Sequence, residues 1–278
     1  MKIAIASGKG GTGKTTISIA LALAIDEKVQ LLDCDVEEPN ADLFLDLENT
    51  KEETVNIPIP SVDIDKCIFC GKCQEICQFN VIAVLKDNVL IFDELCHGCG
   101  GCEMICPQNA ISEQDMPIGK IIASQSKSLS FTQGRLDIGR AMSPPLIRAV
   151  KRRIDDSIIN IIDCPPGSSC PLITAINGAD YIVLVTEASP FGLNDLIITV
   201  DTIKSLKTPF GVVINRAKKE YKQIHEYCAK NHIKILLEIP ENMAAAKAYS
   251  NGNSILNAIP SLKAQLNNML SYIQEVVA

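Results

Sequence analysis

The sequence carries no surplus of basic charge: 26 Lys and Arg stand against 33 Asp and Glu, a formal net charge of −7. With no basic stripe along any segment, nucleic acid would find no electrostatic footprint. No apolar run is long enough to span a bilayer, and the charged start and short apolar stretch of a secretory leader are missing. The expectation is a cytoplasmic protein with neither nucleic acid nor membrane among its partners. Disulfides are not expected there, so the 12 cysteines point to metal instead. At 278 residues the chain can bury a large core, as one domain or as one with a small insert.

What is present is organised around Ser7–Thr16, which reads Ser-Gly-Lys-Gly-Gly-Thr-Gly-Lys-Thr-Thr. A short apolar strand, Ile3–Ala6, precedes it, and a helical run to Ile25 follows, with Ile17, Ala20, Leu21, Ala24 and Ile25 on one stripe. Gly8, Gly13, Lys14 and Thr15 satisfy the phosphate-loop pattern G-x-x-x-x-G-K-[ST] in its strand–loop–helix context. Glycines let successive N–H groups converge on an anion, and the following helix adds its positive end. Lys14 is expected at the β- and γ-phosphates and the Thr15 hydroxyl at Mg²⁺. The next strand, Val29–Asp35, ends in Asp33 and Asp35, at the strand end where α/β sheets place ligands. A short apolar helix is predicted over Leu43–Leu47.

Near Asn56 the character changes. Pro58 and Pro60 break any helix, and eight of the twelve cysteines follow within forty residues. The first run is Cys67-x2-Cys70-x2-Cys73-x3-Cys77, and the second is Cys96-x2-Cys99-x2-Cys102-x3-Cys106-Pro107. Each cysteine recurs 29 residues later, and Asp65/Glu94, Gly71/Gly100, Ile76/Ile105 and Asn80/Asn109 keep the same offset, so the block is an internal duplication. Its spacing is that of bacterial two-cluster ferredoxins, in which the fourth cysteine of each run ligates the other cluster. One [4Fe–4S] is therefore assigned to Cys67, Cys70, Cys73 and Cys106, the other to Cys96, Cys99, Cys102 and Cys77. Gln78 stands where the motif has proline. Zinc also uses Cys-x2-Cys pairs, but two four-cysteine runs in register favour iron–sulfur. His97 is expected to face solvent, the cysteines already supplying every ligand.

Beyond the block, Gly119–Ala123 and Leu129–Arg135 read as short strands returning the chain to the sheet. Ser143-Pro144-Pro145 starts a helix over Leu146–Ile154, with Ser143 as cap. Its basic cluster (Arg148, Lys151, Arg152, Arg153) reads as a solvated face. Ser157–Asp163 is a nearly continuous apolar strand, as buried parallel strands are. Three strand–helix units follow: Tyr181–Ala188 with a helix from Pro190, Phe210–Ala217 with one from Lys219, and Ile233–Pro240 with Glu241–Ser250. A last helix spans about Ser261–Val277 and reads as core packing, since it has one lysine where a membrane anchor would be basic. Strands alternating with helices predict an α/β fold with a mostly parallel sheet covered on both faces.

With Lys9 at its second position, Lys-Gly-Gly-Thr-Gly-Lys-Thr-Thr resembles the deviant Walker A loop of the MinD, Mrp and nitrogenase-iron-protein ATPases. More narrowly, the chain resembles MinD-superfamily ATPases that carry an inserted ferredoxin domain. The resemblance implies an ATPase domain from 1–58 and 114–278 and a two-cluster ferredoxin insert over 59–113. It implies nucleotide contacts from Gly8, Lys9, Gly10, Gly11, Thr12, Gly13, Lys14, Thr15 and Thr16, with Lys9 reaching the partner's nucleotide in an ATP-dependent homodimer. Asp35 would activate the attacking water, with Asp33 a secondary candidate for the Mg²⁺ shell. Asp163, in Asp-Cys-Pro-Pro-Gly, would hold Mg²⁺ through water, and the Gly167 N–H would sense the γ-phosphate. Asn215 would read adenine, with Pro240 and Glu241 near the base. Cys164 reads as a buried thiol, and Cys170 as either structural or a metal or redox ligand. Two functions remain open: ATP-gated electron transfer through two [4Fe–4S] clusters to a redox partner, or an ATPase that assembles or carries clusters. The implied cofactors are ATP or ADP, Mg²⁺ and the two clusters.

Overall fold

The computed structural model describes residues 1–140 and 142–278. In chain order the first half contains β1 (Lys2–Ala6), α1 (Lys14–Ala24), β2 (Val29–Asp33), β3 (Glu48–Val62), α2 (Lys72–Ile76), β4 (Ile82–Val84) and β5 (Val89–Ile91). Then come α3 (Gly101–Ile105), β6 (Ile111–Ser126), β7 (Leu129–Leu136), α4 (Pro144–Lys151), β8 (Ile159–Asp163) and α5 (Cys170–Ile176). The last part adds β9 (Tyr181–Glu187), α6 (Pro190–Lys204), β10 (Phe210–Ala217), α7 (Gln223–Lys230), β11 (Lys234–Pro240), α8 (Met243–Ser250) and α9 (Leu262–Val277).

Nine strands form one sheet in the order β11-β10-β9-β1-β8-β2-β7-β6-β3. From β11 to β7 every neighbouring pair is parallel, while β6 runs antiparallel to both β7 and β3. The sequence of β1 shows why the sheet is covered on both faces. Ile3 and Ile5 join a core with α1 and α9, whereas Ala4 and Ala6 face the core built with α4, α5 and α6. Large and small residues alternate, matching the strand's period of two. The C-terminal helix packs inward through Leu262, Leu266, Met269, Leu270 and Ile273, as its apolar stripe predicts. Among the described residues no helix is long and apolar enough to cross a membrane.

Several local expectations are corrected. The predicted helix over Leu43–Leu47 is instead a single 3-10 turn at Ala41–Phe44, after which the chain is extended. That turn ends early because its partners lie elsewhere: Asp42 meets Gln133 and Arg135 of β7. The segment from Glu48 then pairs with β6 over its whole length, past Pro58 and Pro60, to Ile111. Prolines are tolerated there because β3 is the edge strand. The short return strand predicted over Gly119–Ala123 is thus part of a 16-residue strand. At the start of α4, Ser143 makes no side-chain capping bond. The basic face of α4 is not wholly solvated either, since Lys151 Nζ donates to the Thr174 carbonyl (3.0 Å) and to that of Asn177 at the end of α5.

Candidate functional site

The chain leaves β1 at Ala6, crosses Ser7–Gly13 and enters α1 at Lys14. Gly13 takes φ 96°, a left-handed conformation, and a Cβ there would run into Asn215 Nδ2. Only glycine fits such a turn without strain. The first turn of α1 carries neither an acidic residue nor a side-chain cap, so its free N–H groups and positive dipole end face the loop. Lys14 is buried under the loop, Thr15 and Thr16 are half-buried, and Gly10 and Gly11 lie exposed at the mouth. Gly8 passes so close to α6 that a Cβ would lie 2.5 Å from the Asp195 carbonyl. The cradle is thus open on its ligand side and held from behind.

Two carboxylates meet beside it. Asp33 and Asp163 are paired in register at the ends of β2 and β8, and both are fully buried. Asp163 Oδ1 accepts from Ser18 Oγ (2.9 Å), while Oδ2 is buried with no partner. An orphaned carboxylate oxygen next to Thr15 fits the second shell of a divalent cation, the chemistry expected for Mg²⁺. Burial pushes the Asp163 carboxyl up against the opposing pull of Thr15, Lys14 and Ser18. Asp33 differs: its oxygens accept the backbone N–H groups of Asp35 (3.0 Å), Asn40 (3.3 Å) and Ala41 (3.2 Å). It thereby anchors the loop after β2. Burial, then the neighbouring Asp163, push it well above the carboxylate range. Asp35, half-buried at the same edge, is pushed up to about 6, chiefly by burial, with Lys14 opposing. A carboxyl poised there can take a proton from water near neutral pH.

The remaining sequence-assigned residues lie at strand ends or in the segments that follow them. Gly167 takes φ 98° and donates its N–H to the Ser7 carbonyl (3.1 Å). Asn215, at the end of β10, donates Nδ2 to the Thr12 carbonyl (2.8 Å), so it ties the loop to the sheet. Pro240 and Glu241 are exposed at the end of β11, Glu241 Oε2 lying 3.7 Å from Lys218. Cys164 is fully buried, and burial drives its thiol far up, out of reactive range; Cys170 is exposed at the start of α5. Lys9 is not free in the loop, because its Nζ lies 2.6 Å from Glu187 Oε1 at the end of β9. Sequence reasoning missed Glu187 and Arg216. The only signal was their place at strand ends, where this fold gathers its ligands.

The cysteine block is duplicated in backbone as well as in sequence. Phe69, Gly71 and Asn80 have φ of 54°, 78° and 55°; their counterparts 29 residues on, Gly98, Gly100 and Asn109, have 62°, 73° and 47°. The glycines at 71 and 100 are the left-handed caps of α2 and α3. Thiol contacts repeat too: the N–H groups of Phe69 and Gly98 point at Cys67 and Cys96, those of Val81 and Ala110 at Cys77 and Cys106, all at 3.2–3.4 Å. Two separate cavities result. One is lined by Cys67, Cys70, Cys73 and Cys106. The other is lined by Cys77, Cys96, Cys99 and Cys102. Among the described residues no three metal-ligating side chains converge tightly enough to hold a single ion. Four thiols line each cavity, a donor chemistry that iron–sulfur clusters and zinc both use. His97 is stacked on Phe79 (3.4 Å between centroids), so it packs within the block instead of facing solvent.

Comparison with known proteins agrees with the nucleotide half of this picture. MinD of Pyrococcus horikoshii, solved with Mg-ADP, superposes with a TM-score of 0.53 at 20% identity, covering 99% of this chain and 95% of that one. An uncharacterised protein of Methanocaldococcus jannaschii, MJ0578, is 35% identical over 221 residues, 78% of each chain. An iron–sulfur cluster carrier protein of the same organism is 47% identical over 53 residues, 18% of each chain. Residues 3–255 match the family described as the CobQ/CobB/MinD/ParA nucleotide binding domain. With its phosphate cradle, paired strand-end aspartates and parallel sheet, the chain belongs to that family and is a P-loop ATPase.

Proposed function

We propose that this ATPase couples nucleotide-driven closure of a homodimer to electron transfer through two [4Fe–4S] clusters held in the cysteine block. On this reading residues 1–58 and 114–278 form the ATPase and 59–113 a ferredoxin-like insert. Each cavity offers four thiols and N–H groups aimed at sulfur, and such hydrogen bonds tune cluster potentials. When bound, the clusters supply one-electron chemistry. The protein's part is positional. Lys14, Thr15 and the loop amides would hold the triphosphate and Mg²⁺, with Asp163 in the metal's outer shell, and Asp35 would accept the proton of the attacking water.

The observation that carries the coupling is a strand connection. β3 and β6 run without a break from the sheet into the cysteine block, and β7, paired to β6, lies beside β2. The Leu136 N–H at the end of β7 donates to the Val36 carbonyl (2.8 Å), one residue past Asp35. Movement of the loop that carries Asp35 would thus have a path, through β7 and β6, to the segment between β3 and β6 that carries the cysteines. The 53-residue likeness to a cluster carrier supports a second reading, in which the clusters are cargo. One experiment separates the two. Anaerobically prepared protein is reduced and mixed with ATP and acceptors, while iron is counted. About eight irons per chain are expected, fixed in number while electrons leave, with midpoint potentials that shift when a non-hydrolysable triphosphate binds. Iron passing to an apo-protein favours the carrier. Potentials indifferent to nucleotide would falsify the coupling.

A further inference from the structure

Lys9 sits on a glycine-rich loop, where a long cationic side chain would ordinarily sample many rotamers. Here it is fixed. Its ammonium lies 2.6 Å from Glu187 Oε1, and the same oxygen accepts from Ser189 Oγ (3.1 Å). Ser189 is in turn pinned as the cap of α6 by the Gly192 N–H (3.0 Å). The other carboxylate oxygen, Oε2, lies 3.3 Å from Arg216 Nη1. Arg216 follows Asn215, which is register-paired with Glu187, and it takes φ 49°, a left-handed conformation unusual for arginine. That conformation is the kind a structure keeps where a residue's direction matters. One half-buried carboxylate thus holds two cations, one from the phosphate loop and one from the neighbouring strand end. Burial would push Glu187 up, but its bond to Lys9, with Ser189 and Arg216, holds it below the usual carboxylate range.

We propose that Glu187 is the positioning residue of Lys9: it clamps the ammonium at the loop mouth in the nucleotide-free subunit and yields it when a triphosphate presents a stronger anion. The second cation makes the release feasible. Breaking a pair normally strands a desolvated charge, but Arg216 still neutralises Glu187 after Lys9 has left. Glu187 therefore sets how much nucleotide, and how much protein, is needed before Lys9 is free to act. The inference rests on the proposed use of Lys9 in the nucleotide-bound dimer, and the test separates the two.

The clamp is read in nucleotide-free protein by the rate at which a small acylating reagent modifies Lys9, followed by peptide mass spectrometry. Glu187→Gln should raise that rate roughly 3- to 10-fold, the span of a half-buried charged hydrogen bond. Arg216→Gln should lower it, because Glu187 then has only Lys9 to pair with. Unchanged rates in both variants overturn the proposal. Its consequence is read by sedimentation with Mg²⁺ and a non-hydrolysable ATP analogue. Glu187→Gln should self-associate at several-fold lower protein concentration than the wild type, and the gain should vanish in a Lys9→Ala background. An equal gain in that background would mean that Glu187 acts structurally, and overturns the proposal too. A wild-type protein that never associates removes the dimer reading, while the acylation rates still decide the clamp.

Discussion

The nucleotide cradle and the cysteine block are built by opposite means. In the cradle Lys14, Asp33 and Asp163 are buried, and the strands that carry the aspartates are paired on both sides. Its shape exists before any ligand arrives. The cysteine block has helices of five residues with no buried side chain, and Ile76, Phe79, Met104 and Ile105 stand exposed around the thiols. Helices so short have no stability of their own, and the block's few buried residues, among them Val81, Ile82 and Val89, make only a small core. The comparison teaches that one site is a product of folding, whereas the other, on the proposed reading, needs its clusters to finish the fold.

The largest expected effect follows from that difference. Metal binding to small domains contributes on the order of 10 kcal/mol to folding. Stripping iron should release amide protection across residues 63–110 while nucleotide binding at the cradle survives. Hydrogen exchange read by mass spectrometry checks both in one sample. Retained protection after chelation would break the comparison. The division between cavities is testable in the same way: Cys106→Ala should empty the cavity of Cys67, Cys70 and Cys73, although it lies in the other run.

Next in size is the chemistry of the cradle. Asp35→Asn should lower the hydrolysis rate about 10²- to 10⁴-fold, the usual weight of a general base, with little change in nucleotide affinity. The sign of the pH effect is set by its raised pKa, about 6. Above that value the carboxylate is ionised and accepts a proton; below it the rate should fall as pH drops. The acid limb should be absent in the asparagine variant, and a limb that persists belongs to another group. A smaller loss is expected from Gly13→Ala, because φ 96° and the crowding of Asn215 force strain of about 1–3 kcal/mol. Nucleotide affinity should fall roughly 5- to 150-fold, whereas the same change at Gly71 or Gly100 should be felt only in iron retention.

The parallel half of the fold was legible in the sequence because its signals are local and repeated. Apolar strands such as Ile159–Asp163 alternate with amphipathic helices, and the Gly-Lys-Thr loop sits between the first strand and the first helix. The cysteine spacing was equally plain. What was hidden depends on partners far away in the chain. The stretch from Glu48 is charged and carries little strand signal of its own, yet β6 recruits it as an edge strand; the alternation of Val55, Ile57 and Ile59 was the overlooked cue. The tie between Lys9 and Glu187 spans 178 positions, so no window of sequence contains it. Asp33 and Asp35 look alike in sequence, and only the fold decides that one caps a loop and the other faces the cradle.

The smallest effect tests the two halves of the duplication against each other. Phe69 and Gly98 hold equivalent left-handed positions, but for different reasons. A Cβ at Gly98 would lie 3.1 Å from the Pro58 carbonyl of β3, so a side chain would be crowded there. At Phe69 the ring is half-buried against the core instead. The left-handed backbone costs a non-glycine residue about 1–2 kcal/mol, and partial burial of the ring returns a similar amount. Phe69→Gly should therefore change the free energy of denaturant-driven iron release by less than about 1 kcal/mol, since strain relief and lost packing oppose one another. Gly98→Ala adds strain with no packing gain, and should release iron from the second cavity first. If Phe69→Gly instead proved as damaging as Gly98→Ala, the ring would outweigh the backbone. The first half of the block would then owe more to its own core, and the contrast with the cradle would narrow.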